Sequence, residues 1–166
     1  GGYGPLFAGN PIILDIFPRC RKTGYWGDMT RTVVKGKATP IIRRMYKAVC
    51  LAQRTALNMV KPGVPTKIIH ETVLNIFEER GFASDLEAKI PTGFVHSTGH
   101  GVGLEIHEPP RISLFSDAIL EAGLVVTVEP GLYYPEYGGV RMEDTIEVTP
   151  TGWRFLAKAP RCFELP

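Results

Sequence analysis

The sequence has 166 residues, a length that fits one domain with a sizeable core, on a prior of roughly 100 to 200 residues per domain. Lys and Arg number 19 against 17 Asp and Glu, a net charge of +2, so no strong field argues for nucleic acid or an anionic membrane as partner. The 44% hydrophobic content is globular, no stretch approaches the roughly 18 consecutive apolar residues of a membrane span, and the Gly-Gly-Tyr-Gly start lacks the regions of a signal peptide. The 18 Gly and 14 Pro exceed average usage but are scattered, which predicts many defined turns. Cys20, Cys50 and Cys162 show no CxxC pairing, so neither a disulfide framework nor a zinc ribbon is indicated, and a reducing compartment, the cytoplasm, is expected.

In chain order, the apolar run Pro11 to Phe17 predicts a short strand buried on both faces, with Asp15 inside it. Asp28 to Val34, rich in β-branched residues, predicts a second strand paired with the first as a hairpin. From Thr39 the period becomes helical: Ile42, Met45, Tyr46, Val49, Ala52, Ala56 and Val60 share a face between a Thr39-Pro40 start and a Pro62-Gly63 stop. A second helix is predicted from Pro65 or Thr66 to Arg80, ended by Gly81, with His70 among polar neighbours as a surface residue. Pro91 to Ser113 reads as loop. Leu124 to Glu129 predicts a strand closed by Pro130-Gly131, and Gly138-Gly139 opens a last strand in which Arg141 and Glu143 share a face. The order predicts an α+β domain, with helices on one face of a mostly antiparallel sheet.

Four carboxylates, Asp15, Asp28, Glu129 and Glu143, lie in or at the ends of apolar strands, where an ionised group is costly unless it is paired or binds a metal. Three of the 4 His (His96, His100 and His107) cluster in one loop. Carboxylate oxygen with imidazole nitrogen suits a hard or borderline divalent cation, and four carboxylates would balance two of them.

The series Asp15, Gly27-Asp28-Met-Thr-Arg-Thr32, His96-Ser-Thr-Gly-His100-Gly-Val-Gly-Leu-Glu-Ile-His107-Glu-Pro-Pro110, Thr127-Val-Glu129-Pro-Gly-Leu-Tyr133 and Val140-Arg-Met-Glu143-Asp144 resembles the dinuclear pita-bread metallopeptidases, the family of methionine aminopeptidase, proline aminopeptidase and prolidase. The likeness runs in order from Pro5 to Leu156. It implies a pita-bread fold, a curved, mostly antiparallel sheet with helices on its outer face. It also implies two divalent metal ions, Mn foremost with Co, Zn or Fe(II) as alternatives. Asp15 would chelate one ion, Asp28 and Glu143 would bridge both, and His100 and Glu129 would complete the second. A metal-bridging hydroxide is the implied nucleophile, with the ions about 3.5–4 Å apart. Glu129 is implied to move a proton to the leaving amine, and His96 and His107 to hydrogen-bond the substrate carbonyl and tetrahedral intermediate. Thr30 and Tyr133 resemble groups that orient ligands, and Arg141 is placed to pair with Asp15 or a substrate carboxylate.

His96, four residues before His100, together with Glu-Pro-Gly-Leu-Tyr and Gly-Val-Arg-Met-Glu-Asp, is similar to the Xaa-Pro-cleaving branch. The implied substrate is a peptide with proline at its second position, without nucleic acid or membrane as partner, and a homo-oligomer is compatible with it. The alternative is a non-catalytic pita-bread module that binds protein or peptide. Residues 1–166 are expected to be the C-terminal major part of the catalytic domain. The upstream half of the family's domain, with a further substrate-contacting His, has no counterpart here, so the chain alone is expected not to be competent. The loop between Asp15 and Asp28 is longer than the commonest version in the family. Gly-His-Gly-Val-Gly follows no apolar strand and is not a dinucleotide loop, and His107-Glu108 lacks a second His at Arg111 for a helical zinc motif.

Overall fold

The computed structural model describes residues 4–166; residues 1–3 of the expected domain lie outside the described residues. The first strands, β1 (Pro11–Ile16) and β2 (Met29–Lys35), form the expected antiparallel hairpin, with Asp15 opposite Thr30 and Ile16 opposite Met29. Directly opposed residues of an antiparallel pair share a face, so Asp15 and Thr30 point the same way, as does Asp28 two positions before Thr30. β1 is not buried on both faces: Leu14 is 45% and Ile16 61% exposed. The reason is its place at the edge of a three-stranded sheet of order β1-β2-β10, where β10 is Glu164–Leu165 and runs parallel to β2.

Helix α1 (Pro40–Met59) starts where Thr39 accepts a side-chain hydrogen bond from the Ile42 amide at 3.5 Å, with Pro40 in the first turn. Helix α2 (Thr66–Glu79) ends before Gly81, whose φ of +77° is the left-handed conformation that lets the chain turn away. The predicted helical face is the buried one: Met45, Val49, Ala52 and Ala56 of α1 and Ile69, Val73 and Phe77 of α2 enter one core.

The other side of that core is a five-stranded antiparallel sheet, of order β4-β3-β5-β8-β9: β3 (Gly99–Gly101), β4 (Glu108–Ile112), β5 (Val125–Val128), β8 (Asp144–Thr149) and β9 (Gly152–Phe155). A two-stranded ribbon, β6 (Gly131–Tyr134) with β7 (Gly138–Arg141), adds Leu132 and Val140 to the core. Val126, Val128, Ile146 and Val148 face the helices and are fully buried, each worth about 1.5–3 kcal/mol of apolar burial. The architecture is α+β with both helices on one face, as expected.

Three expectations need correction. Pro91 to Ser113 is not all loop, because β3 and β4 lie inside it. Gly-His-Gly has no apolar alternation, and only pairing with β4 and β5 makes it a strand. The expected last strand is two strands, β7 and β8, separated by Met142 and Glu143, and β9 and β10 follow it. His70 is not a surface residue: it is 6% exposed, with its ring 5.1 Å from that of Phe94. Among the described residues no helix is long and apolar enough to cross a membrane.

Candidate active site

On the sheet face opposite the helices is a cavity of about 470 Å³, lined by Asp15, Asp28, His96, His100, His107, Glu129, Arg141 and Glu143. All eight residues singled out from the sequence therefore meet at one place.

The hairpin delivers Asp15 and Asp28. The Asp15 carboxylate is not packed among the other acids: its Oδ2 accepts from Arg141 Nη2 at 2.5 Å. Asp28, just before β2, is 8% exposed, and Thr145 Oγ1 donates to its backbone carbonyl at 2.6 Å. The five-stranded sheet delivers the rest. His100 lies in the middle of β3, whose backbone sits so close to its neighbours that a Cβ at Gly99 would be 1.9 Å from the Thr127 carbonyl oxygen, and one at Gly101 2.3 Å from that of Pro109. The His100 amide donates to Thr127 Oγ1 at 3.0 Å, and its Nδ1 meets the Gly101 carbonyl at 3.0 Å, which assigns the proton to Nδ1. Nε2 then faces Glu129 Oε1 at 3.2 Å and Asp28 Oδ2 at 3.7 Å.

Glu129 follows β5, where alternation puts it and Thr127 on the cavity side; Thr127 Oγ1 donates to its Oε1 at 3.2 Å. Glu143 sits in the step from β7 to β8. Its amide donates to the Thr30 carbonyl at 3.1 Å, and its Oε2 accepts from Thr30 Oγ1 at 2.6 Å. Donor atoms of Asp28, His100 and Glu143 all lie within 4.8 Å of one another. Two carboxylates and an imidazole at that spacing, with Glu129 hydrogen-bonded to the same imidazole, fit a divalent cation.

Arg141 organises the cavity's other side. Besides Asp15 it donates from Nε to Thr30 Oγ1 at 3.1 Å and from Nη1 to the Tyr133 hydroxyl at 2.9 Å. That hydroxyl is 2.8 Å from His96 Nε2, while His96 Nδ1 faces the Ser97 carbonyl at 2.8 Å. Nδ1 therefore carries the proton, and Tyr133 donates to Nε2 while accepting from Arg141. His107 stands exposed at the rim, edge-on to His100 with ring centroids 4.4 Å apart.

Burial raises the carboxyl group of Glu143 to about 8, reinforced by the charges of Glu129 and Asp28. Burial likewise lifts Asp28 to about 6, with Asp15 and Glu129 adding to it against the pull of His100. For Glu129 burial also acts upward, but the His100 hydrogen bond and the electrostatic influence of His96, His100 and Arg141 outweigh it and hold the group below its ordinary value. The partner effect appears at His100: burial disfavours its charge, yet Glu129, the Gly101 carbonyl and Asp28 together raise it. Burial lowers His96 and His107. The raised proton affinity of Glu143 and Asp28 beside an anchored imidazole is what a shared cation would reverse.

Several contributors were not read from the sequence. Phe17, Trp26, Ser97, Ile106 and Arg111 also line the cavity. Behind Glu143, Arg31 donates to its carbonyl at 2.6 Å and to Asp144 Oδ1 at 2.6 Å. Asp144, 2% exposed, also accepts from Gln53 at 3.0 Å and Arg161 at 2.7 Å. The argument that singled out Glu143, a carboxylate within an apolar strand, applies equally to Asp144; no such signal marks Gln53 or Arg161.

Carboxylates and histidines converge in a cavity on a mostly antiparallel sheet backed by helices, which is a candidate metal centre on a fold of the pita-bread type. The chain belongs to Metallopeptidase family M24, whose profile matches residues 2–150. It is 42% identical over 137 residues to the Xaa-Pro dipeptidase of Pyrococcus furiosus, covering 82% of this chain and 37% of that protein. Among solved structures, the prolidase from Pyrococcus horikoshii OT3 superposes with a TM-score of 0.84 at 39% identity, covering 93% of this chain and 42% of that one. The X-Pro aminopeptidase from Thermotoga maritima MSB8 gives a TM-score of 0.84 at 33% identity, over 95% and 42% of the two chains. The chain thus spans well under half the length of these relatives.

Proposed function

We propose that this chain carries the metal centre of an exopeptidase that hydrolyses the peptide bond preceding proline, as an Xaa-Pro dipeptidase or an Xaa-Pro aminopeptidase. The observation that carries the reading is the convergence of Asp28, His100 and Glu143 donor atoms within 4.8 Å, in a cavity that also holds Asp15 and Glu129. Asp15, Asp28, His100, Glu129 and Glu143 would hold two divalent ions. Manganese is the favoured ion, because four carboxylates outnumber one imidazole and oxygen-rich sets suit it. When bound, such ions supply Lewis acidity and a water made acidic enough to attack at neutral pH.

The residues of the chain then divide the remaining work. Glu129, held below its ordinary value by His100, is a carboxylate able to take a proton and pass it to the departing proline nitrogen. His107 at the rim is free to donate to the scissile carbonyl. His96 Nε2 accepts a hydrogen bond from the Tyr133 hydroxyl, so the His96 and Tyr133 pair presents a polar, positioned wall to the substrate. Arg141, by holding Asp15, Thr30 and Tyr133 together, fixes the geometry of both walls. Phe17, Trp26 and Ile106 give an apolar lining suited to a proline ring. The cytoplasm is the proposed location, supported by three free cysteines.

The test is hydrolysis of Xaa-Pro dipeptides and longer Xaa-Pro peptides by the full-length protein, before and after exhaustive chelation. Loss on chelation with recovery on adding Mn is expected, and undiminished activity without metal sinks the reading. A non-catalytic peptide-binding module would instead bind these peptides without cleaving them, with or without metal.

A further inference from the structure

The buried His70 on α2 has no part in the reading above, although it lies beneath the segment that carries His96 and His100. Two donors of Thr98 converge on its Nδ1: the backbone amide at 3.2 Å and the hydroxyl at 2.9 Å. The one amide hydrogen, shared between the Ile112 carbonyl at 2.8 Å and Nδ1 at 3.2 Å, can only be donated, and this favours Nδ1 as an acceptor in the neutral tautomer that carries its proton on Nε2. The ring is packed against Phe94, 5.1 Å between centroids.

Thr98 is fully buried and saturated on every side. Its amide also donates to the Ile112 carbonyl at 2.8 Å, and its own carbonyl accepts from the Glu129 amide at 2.8 Å. It lies two residues after His96 and two before His100, so the backbone of three site residues is referenced to Thr98. Burial, with the nearby His96, pushes the His70 imidazole down to about 4 against the upward pull of the Ile112 backbone, so the ring is neutral at neutral pH.

We propose that His70 is a positioning residue: through its Nδ1 acceptor it holds Thr98, and through Thr98 the His96–His100 segment and the Glu129 backbone, in the arrangement that receives metal. This rests on the assignment of His100 and Glu129 as ligands given above. A phenylalanine at 70 keeps the packing on Phe94 and removes the acceptor. An asparagine keeps an acceptor atom at the place of Nδ1 and gives up packing. A packing role predicts that asparagine is the more harmful; the positioning role predicts the reverse.

The experiment is metal titration of the full-length, metal-free protein by calorimetry, with Mn as probe and thermal melting alongside. His70→Phe should weaken metal binding by roughly 10-fold or more, the lower end of what outer contacts to ligands carry. His70→Asn should remain within about threefold, the scatter of a benign substitution. Equal affinity of His70→Phe and wild type, or a greater loss in His70→Asn, overturns the proposal. So does a ¹⁵N spectrum of the metal-free protein showing the His70 proton on Nδ1. Asp28→Asn separates the two levels of argument: if it too binds metal normally, the ligand assignment fails, whereas its loss beside a normal His70→Phe refutes the positioning role alone.

Discussion

Asp15 and Glu143 are both carboxylates facing one cavity, but the two halves of the site hold them differently. Asp15 sits on an edge strand beside exposed Leu14 and Ile16, and it is paired with Arg141. Glu143 is 2% exposed, receives the Thr30 hydroxyl, and has its backbone gripped by Thr30 and Arg31. Asp15 is a group that water still reaches, whereas burial disfavours the charge of Glu143 until a cation or a proton neutralises it. The lesson is that one residue type in one cavity acquires its chemistry from the element behind it.

Replacing a ligand in each half is the sharpest way to test that contrast. Glu143→Ala should lower metal affinity by more than the roughly 100-fold carried by outer contacts, while Asp15→Ala should retain one ion per chain by metal analysis. Equal loss from both would erase the distinction. Gly99→Ala tests how tightly the sheet half is built: with the Thr127 oxygen 1.9 Å from the new carbon, unfolding free energy should drop by more than about 3 kcal/mol in denaturant melts, beyond ordinary overpacking. A variant that melts like wild type would show that β3 and β5 yield.

The buried acids also give the metal-free protein a pH signature. Glu143 and Asp28 have folded values near 8 and 6, above ordinary values of 4.5 and 3.8. The folded state thus binds more protons than the unfolded one across this range, so stability is full below about pH 4 as far as these groups are concerned and is lost as pH rises towards 8. Melts of the metal-free protein from pH 5 to 8 should show this fall, and added Mn should abolish it; a rise instead would mean that the acids are ionised and paired. Thr30→Val removes the 2.6 Å hydrogen bond to Glu143 and the 3.1 Å contact from Arg141, and a loss of about 1.5–3 kcal/mol in metal binding is expected for a bond to a charged group. The smallest effect belongs to the hairpin's outer face: Ile16→Ser, at a site 61% exposed, should shift stability by no more than about 0.5 kcal/mol. A larger loss would show that something covers β1.

Much of this was legible in the chain. Helical periodicity from Ile42 to Ala56 placed α1, because burial of one face requires that spacing whatever it packs against. The four carboxylates and the cluster of His96, His100 and His107 were legible because charged and imidazole groups inside apolar or glycine-rich runs need a partner, while the role of Arg141 came with the family resemblance. β3 was not: Gly-His-Gly carries no pattern, and its strand geometry comes from neighbours remote in sequence. Nor was the burial of His70, since the residues beside it on α2 are polar and its acceptor role depends on Thr98, 28 positions away.

The amino-acid sequence by itself determined which groups are candidates for the chemistry and which faces are apolar, because both follow from local residue type and spacing. Tertiary structure alone decided which carboxyl groups hold their protons more tightly, which nitrogen of His96 and of His100 carries a proton, and that Arg141 is committed to Asp15, Thr30 and Tyr133. Those outcomes depend on desolvation and on hydrogen bonds of a few ångströms between distant segments, and no spacing along the chain encodes them.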